Sequence, residues 1–373
     1  MSFISGTYQA SHLQAVEYGP GSIRRLPQIL AQLHVRRPFI ITGTSIRTST
    51  PIISDIIELL SLSDTVENTK QEIGVFGHIR QHAPIEDINA ALVMFDRANA
   101  DSLIVVGGGS PIDSAKLISV KSERVQFPPI IAIPTTLSVA ETTSGIGYTS
   151  ESGHKAKMTE PRAAPKYIIY DSELLKYTPK WLLLSTGMRA VDHAIETIYH
   201  KTVGELPFKP LALAAAGELF TCLPKLAANP DNTEYGQRAM NAVFMSLFPR
   251  ERIDGPLGLS HSIGLAIGSS YTIPHGITSC ITLPHTVRYK IKSDTYAEKQ
   301  IKRLVPFLGL PSNSPAEAVA DAISELIASL NLTATLSDYR APREDARRIA
   351  IYALHNEADP ELDAIIHLIE LLY

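Results

Sequence analysis

A glycine-rich turn is the segment of this sequence best suited to bind an anion. Its residues are Gly107, Gly108, Gly109 and Ser110. Three glycines allow positive φ angles and a close approach of the backbone to a ligand. Ser110 is predicted to cap the following helix with Pro111 at its first position, which leaves free amides and the positive helix end facing the turn. Such a turn is suited to a pyrophosphate group.

Two charged side chains follow one turn further along the predicted helix. Asp113 and Lys116 are three residues apart, so they share a helix face and can pair beside the bound phosphates. A plain strand-to-helix turn requires fewer glycines and neither of these charges. The combination therefore predicts a nucleotide-binding turn.

The elements that position this turn are short apolar runs that alternate with helical segments. The predicted strands are Phe39–Gly43, Leu103–Gly107, Ile130–Pro134 and Tyr167–Asp171. Continuous Val and Ile runs bounded by Gly or Pro are typical of parallel strands buried on both faces. Between the first two strands, Asp87–Asn99 has apolar residues at helical spacing, which predicts a helix there.

The second half of the sequence has helical periodicity and almost no strand signal after Trp181. The predicted helices there include Leu211–Leu226, Pro315–Leu330 and Arg343–His355. The sequence therefore predicts an α/β nucleotide-binding domain over residues 1–178 and an all-α domain over residues 179–373. The cleft between the two domains is the expected substrate site.

The composition excludes several classes of protein. The chain has 373 residues, 45% of them hydrophobic and 19% charged, with a formal net charge of −4, which argues against disorder and against nucleic-acid binding. Cys222 and Cys280 are too few for a disulfide framework or a cysteine-rich zinc site, and they favour a reducing compartment. No apolar run of roughly 18 residues and no secretory signal is evident. The expected protein is cytoplasmic and binds a small molecule, with neither nucleic acid nor membrane as a partner.

Several motifs resemble those of the iron-dependent (group III) alcohol dehydrogenases, a superfamily that includes the maleylacetate reductases and, more distantly, dehydroquinate synthase. The segment from Gly107 to Lys116 is similar to the family signature GGGS-x-x-D-x-x-K. Other similar segments are Tyr18–Ser22, Pro134–Thr136, His193–Glu196, Pro274–Gly276 and Leu283–His285. The resemblance implies the family's two-domain, dehydroquinate synthase-like fold and an oxidoreductase that uses NADP or NAD. It is also compatible with a homodimer.

The resemblance further implies which residues contact the cofactor. These are Gly107, Gly108, Gly109, Ser110 and Asp113 at the pyrophosphate, Thr135, Thr136 and Leu137 along the cofactor, and Lys155 near the ribose or nicotinamide end. NAD-preferring relatives have an aspartate at the end of the first strand, where this sequence has Gly43. Loss of that carboxylate and the presence of Arg47 favour NADP, although Arg47 is equally compatible with a solvated loop charge. A predicted loop near this domain carries His78, Arg80 and His82. These side chains are candidates to face the cleft between the domains.

The implied metal site is altered in this sequence. The family binds its metal through an aspartate and a histidine four residues apart on one helix and through two later histidines. The histidines are present as His193, His261 and His275, but Arg189 stands at the aspartate position. Two unit charges about 4 Å apart cost roughly 4 kcal/mol at an effective dielectric of about 20, a dication doubles this cost, and arginine does not lose its proton. We therefore expect no bound metal, and we expect Arg189 to pair with Asp192 at i, i+3.

Besides a pseudoenzyme or binding protein, two enzymatic functions are compatible with a cofactor turn and a site without a dication. In the first, Arg189 replaces the metal as the electrophile in an NAD(P)H-dependent reductase of a small carbonyl or keto-acid substrate, and one of the three histidines donates the proton. In the second, hydride transfer is lost and the pocket performs an isomerisation, dehydration or cyclisation. The intact glycine-rich turn favours the first function. Loss of the metal-binding aspartate and of a relay histidine, at whose position this sequence has Leu265, favours the second.

Overall fold

Two units of different architecture make up the part of the chain that the structure describes. The structure is a computed structural model, and it describes residues 8–63, 73–248 and 257–373. The α/β unit is Gln9–Pro179, and the helical unit comprises Tyr8, Lys180–Phe248 and residues 257–373. The predicted fold class, an α/β nucleotide-binding domain followed by an all-α domain, is confirmed. Tyr8 lies within the α/β domain predicted over residues 1–178, but in the structure it groups with the helical unit. Its ring packs edge-on against Phe208 there, with ring centroids 5.7 Å apart.

A six-stranded parallel sheet forms the centre of the α/β unit. Its strands are β1 (Ala15–Tyr18), β2 (Pro38–Thr42), β3 (Gly74–Phe76), β4 (Ser102–Gly107), β5 (Ile130–Pro134) and β8 (Tyr167–Tyr170). They are ordered β1-β8-β5-β4-β2-β3, and every neighbouring pair is parallel. All residues of β2, β4 and β5 are buried, because these strands are covered on both faces and their sequences are nearly all apolar. The four predicted strands are therefore present with shifts of one residue at most at either end.

Helices connect these strands and cover the sheet. They are α1 (Leu26–Gln32), α2 (Thr44–Ser49), α3 (Ile52–Ser61), α4 (Ile85–Arg97) and α5 (Gly109–Lys121). Helix α4 is the helix predicted over Asp87–Asn99, displaced by two residues. Helix α5 leaves β4 directly through the glycine-rich turn, so the turn lies at the carboxyl end of a central strand, where open α/β sheets bind ligands.

A hairpin beside α5 is absent from the sequence prediction. Strands β6 (Gly145–Thr149) and β7 (Lys155–Thr159) pair in antiparallel register outside the main sheet. Neither strand has a run of buried β-branched residues, so its sequence carries little strand signal. Contacts with Asp113 and Lys116 of α5 hold this hairpin.

The helical unit contains nine helices within its described residues. They are α6 (Lys180–Tyr199), α7 (Phe208–Ala228), α8 (Thr233–Ser246), α9 (Leu259–Ser270), α10 (His275–Ser293), α11 (Thr295–Lys302), α12 (Glu317–Ser329), α13 (Ala346–Leu354) and α14 (Leu362–Glu370). Helix α7 is longer than the predicted Leu211–Leu226, and α12 is shorter than Pro315–Leu330. The segment predicted as one helix over Arg343–His355 divides into a 3-10 turn, Arg343–Asp345, followed by α13.

Helix α7 is the one described helix that is long and apolar enough to cross a membrane by length and composition. Core helices pass the same test, and Ala212, Ala216 and Leu219 on α7 are fully buried within the protein. The predicted absence of a membrane partner therefore remains a prediction.

Candidate functional site

The glycine-rich turn contains a positive φ angle, as its sequence predicts. Gly107 has a φ of +140°, which side-chain-bearing residues rarely adopt. The predicted cap is wrong: α5 begins at Gly109, its N-cap is Gly108, and Pro111 is the third helical residue. Ser110 lies inside the first turn, and its Oγ accepts a hydrogen bond of 2.9 Å from the backbone N–H of His82. The amide of His82, rather than an amide of α5, is therefore the group that Ser110 satisfies.

A segment after β5 packs closely against the glycine-rich turn. The N–H of Thr135 donates to the carbonyl oxygen of Gly107 over 3.0 Å. A β-carbon on Gly108 would lie 3.1 Å from Cγ2 and 3.2 Å from Oγ1 of Thr136. Thr135 and Thr136 are buried and Leu137 is completely so. The structure thus brings the predicted Thr135–Leu137 segment to the predicted glycine turn.

Asp113 and Lys116 form the predicted pair, with 3.3 Å between Oδ1 and Nζ. The Lys116 side chain is fully buried, and Nζ also donates to the carbonyl oxygens of Ala140 (2.7 Å) and Gly145 (2.8 Å). Asp113 Oδ2 accepts from the N–H of Gly147 over 3.1 Å. Burial lowers the pKa of Lys116 and raises that of Asp113, and each charge partly offsets the shift of the other. The pair joins α5 to the hairpin, so three donors of Lys116 are used within the protein rather than at phosphates.

Of the loop residues His78, Arg80 and His82, the structure brings His82 to the turn. Its carbonyl oxygen accepts from Oγ1 of Thr149 on the hairpin over 3.1 Å, in addition to the contact of its amide with Ser110. Burial and the nearby positive charge of Lys155 lower the pKa of His82 to about 4, so its imidazole is neutral at pH 7. His78 and Arg80 are exposed, and Arg80 pairs with Asp87 over 2.7 Å.

Gly43 and Arg47 lie at the carboxyl end of β2, one strand away from the glycine turn. Gly43 is the N-cap of α2, and a β-carbon there would lie 3.2 Å from the carbonyl oxygen of Ile79. The aliphatic part of the Arg47 side chain lies against Gly77, where it would clash with a β-carbon. Arg47 is exposed and forms no ion pair with any residue that the structure describes. Its guanidinium is available to a ligand at this strand end.

A second cluster of polar side chains is buried in the helical unit around Arg189. This residue of α6 is 8% exposed. Its Nη1 lies 3.4 Å from Oδ2 of Asp192, which is the pair that the i, i+3 spacing predicts, and 3.1 Å from Oγ of Ser279. Its Nη2 lies 2.5 Å from Nδ1 of His261. Burial lowers the pKa of Arg189, and the charges of Asp192 and Glu196 oppose that shift.

The contact with Arg189 fixes the tautomer of His261. A guanidinium only donates hydrogen bonds, so Nδ1 of His261 must accept and the ring proton must be on Nε2. The rings of His193 and His261 are neighbours, with centroids 5.8 Å apart. The structure therefore brings Arg189, His193 and His261 together.

His275 begins α10 and faces the same side of α9 as Arg189. A β-carbon on Gly268 would lie 3.5 Å from Nδ1 of His275, and one on Gly264 would lie 3.8 Å from Nη1 of Arg189. His261, Gly264 and Gly268 share one face of α9, because they are three and four residues apart. The four predicted catalytic residues are accordingly arranged along this face.

These side chains do not fit a ferrous ion as they are placed. The lone pair on Nδ1 of His261 accepts a hydrogen bond from Arg189, and Nε2 carries the ring proton. This imidazole therefore has no lone pair to offer a metal. Among the described residues, no group of three or more His, Cys, Asp or Glu side chains has a geometry suited to hold a metal ion. The family resemblance implies a carboxylate ligand at the position of Arg189, which carries a guanidinium instead.

Two acidic residues on α6 complete the cluster, and of their contacts only the ion pair of Asp192 is predicted from the sequence. Asp192 is fully buried, and its Oδ2 accepts from Oγ of Ser260 (3.1 Å) and of Ser279 (2.5 Å). Glu196 accepts from the backbone N–H groups of Ser260 (2.8 Å) and His261 (3.3 Å) at the start of α9. Burial and the charge of Asp192 raise the pKa of Glu196 well above its usual value. The shared helix face of Arg189, Asp192 and Glu196 is the sequence signal that could have identified this network.

Known proteins match the chain along most of its length. The family model for iron-containing alcohol dehydrogenase matches residues 14–172, and the model for the C-terminal region of the Fe-containing alcohol dehydrogenase family matches residues 183–364. The chain is 26% identical over 342 residues to maleylacetate reductase 1 of Cupriavidus pinatubonensis, which covers 92% of this chain and 89% of that protein.

Solved structures show the same fold. Maleylacetate reductase from Agrobacterium tumefaciens has a TM-score of 0.82 at 22% identity, over 99% of this chain and 98% of that one. An iron-containing alcohol dehydrogenase from Corynebacterium glutamicum has a TM-score of 0.81 at 23% identity, over 100% of this chain and 97% of that one.

Proposed function

The chain belongs to the iron-containing alcohol dehydrogenase family, is maleylacetate reductase-like and is an NAD(P)-dependent oxidoreductase; from this premise we propose that it reduces a small carbonyl or keto-acid substrate without a metal ion. Arg189 takes the electrophilic role of the metal. The observation that carries this proposal is the contact between Nη2 of Arg189 and Nδ1 of His261.

The donors left on Arg189 suit a substrate oxygen. Asp192 and Ser279 use Nη1, and His261 uses one hydrogen of Nη2. Among the contacts of the described residues, this leaves the Nε–H and the second hydrogen of Nη2 for a ligand. Charged N–H donors directed at a carbonyl oxygen stabilise the negative charge that develops as the carbonyl is reduced. They can also bind a substrate carboxylate.

The reaction requires a hydride at the carbonyl carbon and a proton at the carbonyl oxygen. Bound NAD(P)H would supply the hydride. His261 holds a proton on Nε2 and can transfer it to the oxygen, and the guanidinium at Nδ1 stabilises the ring that has lost it. Solvent then restores the proton to Nε2. His193, whose ring neighbours that of His261, and His275 are the other candidate donors.

The substrate is proposed to be acidic, because the buried site offers a cation and two of the named relatives are maleylacetate reductases. Maleylacetate contains both a keto group and carboxylates. A panel of keto acids and matched neutral ketones, assayed by NADPH oxidation, tests this choice. A preference for the neutral ketones would contradict it. The non-redox alternative is excluded if isotope passes from labelled NADPH to the product.

Metal independence is tested on the purified protein and on variants of Arg189. We expect substoichiometric iron and zinc by elemental analysis and unchanged turnover in the presence of a chelator. Arg189→Asp restores a carboxylate four residues before His193, so it should raise metal affinity and lower metal-free turnover by about 100-fold or more, the cost of losing a donor at a developing oxyanion. Arg347→Asp, at an exposed position on α13, is the matched control and should change neither quantity. About one iron or zinc per wild-type chain, lost together with activity in chelator, would refute the proposal.

A further inference from the structure

A buried hydroxyl next to the glycine turn has no partner in the part of the chain that the structure describes. Ser138 follows the predicted cofactor segment Thr135–Leu137, and its Oγ is shielded from solvent without a hydrogen bond. It lies 3.7 Å from the position that a β-carbon would take on Gly109, the first residue of α5. Ser138 stands outside the glycine-rich motif, so the motif alone does not identify it.

Thr136 presents a second hydroxyl of the same kind. Its Oγ1 also lacks a hydrogen-bond partner among the described residues, and the residue is 5% exposed. It lies 3.2 Å from the position of a β-carbon on Gly108. Burying a hydroxyl without a hydrogen bond is unfavourable, and two such groups beside consecutive glycines point to a ligand that accepts from both.

The backbone next to Ser138 is held in an unusual conformation. Val139 has a φ of +68°, in the left-handed region that β-branched residues rarely adopt. Its carbonyl oxygen accepts from the N–H (3.2 Å) and the Oγ1 (3.0 Å) of Thr142, and its side chain is 1% exposed. Strained residues that the surrounding structure maintains are concentrated at ligand sites. Here the strain sets the direction of the segment that carries Ser138.

The chemistry facing these hydroxyls is that of an anion site. The N-terminus of the 13-residue helix α5 supplies first-turn amides and the positive end of the helix dipole, and no acidic residue lies in its first turn. Non-bridging oxygens of a phosphate accept hydrogen bonds from both amides and hydroxyls.

We propose that Ser138, together with Thr136, donates its hydroxyl hydrogen to the pyrophosphate of the bound dinucleotide, opposite the amides of the glycine turn. Ser138 is thus a cofactor-binding residue additional to the glycine-rich motif. The proposal rests on the use of NAD(P) and is independent of whether Arg189 replaces a metal.

The test is equilibrium binding of NADPH, NADH, ADP and adenosine to the wild type and to Ser138→Ala. Loss of a hydrogen bond to a charged group should raise the Kd of the three phosphate-bearing ligands about tenfold. Adenosine, which has no phosphate, should bind both proteins equally. In the absence of ligand, Ser138→Ala should be at least as stable as the wild type, because the variant removes an unpaired buried hydroxyl.

Ser102→Ala is the matched control. Ser102 is also a fully buried serine without a hydrogen-bond partner for its hydroxyl among the described residues, but it begins β4, at the end of the strand opposite Gly107. Its affinities should stay within about twofold of wild type. Equal ADP affinity of Ser138→Ala and wild type would overturn the proposal, as would an equal loss for adenosine. A wild-type protein that binds none of the phosphate-bearing ligands would overturn the cofactor assignment itself.

Discussion

At the scale of single residues, the metal-free chemistry that we propose for the helical unit depends on Arg189. Arg189 is buried, paired with Asp192 and bonded to His261. Burying a charge is unfavourable unless it is paired and hydrogen-bonded, and here a carboxylate, a hydroxyl and an imidazole provide these contacts. The result is a fixed positive charge and a histidine with a defined tautomer at one place.

Arg47 is the residue that we propose favours NADP over NAD. Its guanidinium is free of ion pairs within the described residues and lies at the end of β2, beside Gly43. Arg47→Ala should raise the Kd of NADPH about tenfold or more, because a charge-assisted contact to the 2′-phosphate is lost, and should leave that of NADH within about twofold. Arg97→Ala, at an exposed position on α4, is the control. Unchanged NADPH binding in Arg47→Ala would identify Arg47 as a solvated loop charge.

At the scale of elements, the start of α9 depends on a carboxyl group supplied by α6. Glu196 accepts from the first-turn amides of Ser260 and His261, so it satisfies donors that a helix N-terminus leaves unpaired. A β-carbon on Gly258 would lie within 2.5 Å of this carboxyl group, so Gly258 is required for the approach of α6. The position of His261 at the site therefore depends on Glu196.

This dependence predicts a pH effect on stability. The pKa of Glu196 is raised in the folded protein above the unfolded value of about 4.5, so the folded state binds this proton more tightly than the unfolded state does. Its contribution to stability is complete below about pH 4.5 and is lost as pH rises toward the folded pKa, at up to about 1.4 kcal/mol per pH unit. In Glu196→Gln the side chain at this position does not titrate. The free energy of unfolding of this variant, measured with urea from pH 5 to 8, should therefore increase relative to that of the wild type as pH rises.

The control for this prediction is Glu325→Gln, which changes an exposed carboxylate on α12. It should follow the wild type across the same pH range. A constant difference between Glu196→Gln and wild type at all pH values would show that Glu196 is ionised in the folded protein throughout.

At the scale of the whole molecule, each of the two compact units carries one of the candidate sites. The α/β unit presents the glycine-rich turn at the carboxyl end of its sheet, and the helical unit presents Arg189 and the histidines along α9. The placement of substrate in a cleft between the domains, the cytoplasmic location and the homodimer stay predictions.

Nucleotide binding should stabilise the folded protein through the glycine turn. A ligand at 100 times its Kd adds about 2.7 kcal/mol to the free energy of unfolding, so NADPH should raise the Tm of the wild type. Gly108→Val should abolish this increase, because valine would fill the space between the turn and Thr136. Gly108 has a φ of −89°, which valine adopts readily, so the ligand-free variant should still fold. Gly204→Ala, with no atom closer than 3.7 Å to the added carbon, should retain the wild-type increase.

The sequence by itself determined the fold class, the four central strands and the position of the glycine-rich turn, because these depend on local periodicity and on the conformational freedom of consecutive glycines. It also predicted the pair of Arg189 with Asp192, since helical spacing alone brings them together. It did not predict the hairpin β6–β7, whose short half-exposed strands are held by contacts with Asp113 and Lys116.

Only the tertiary structure decided the contacts that define the two sites. Arg189 and His261 are 72 residues apart in sequence, and Ser138 meets the turn at Gly109 from a different strand end. Ser110 likewise bonds the amide of His82 rather than its own helix. Helical spacing and turn composition specify which face a side chain occupies. The packing of distant elements against that face specifies which partner the side chain meets, and therefore what chemistry it can perform.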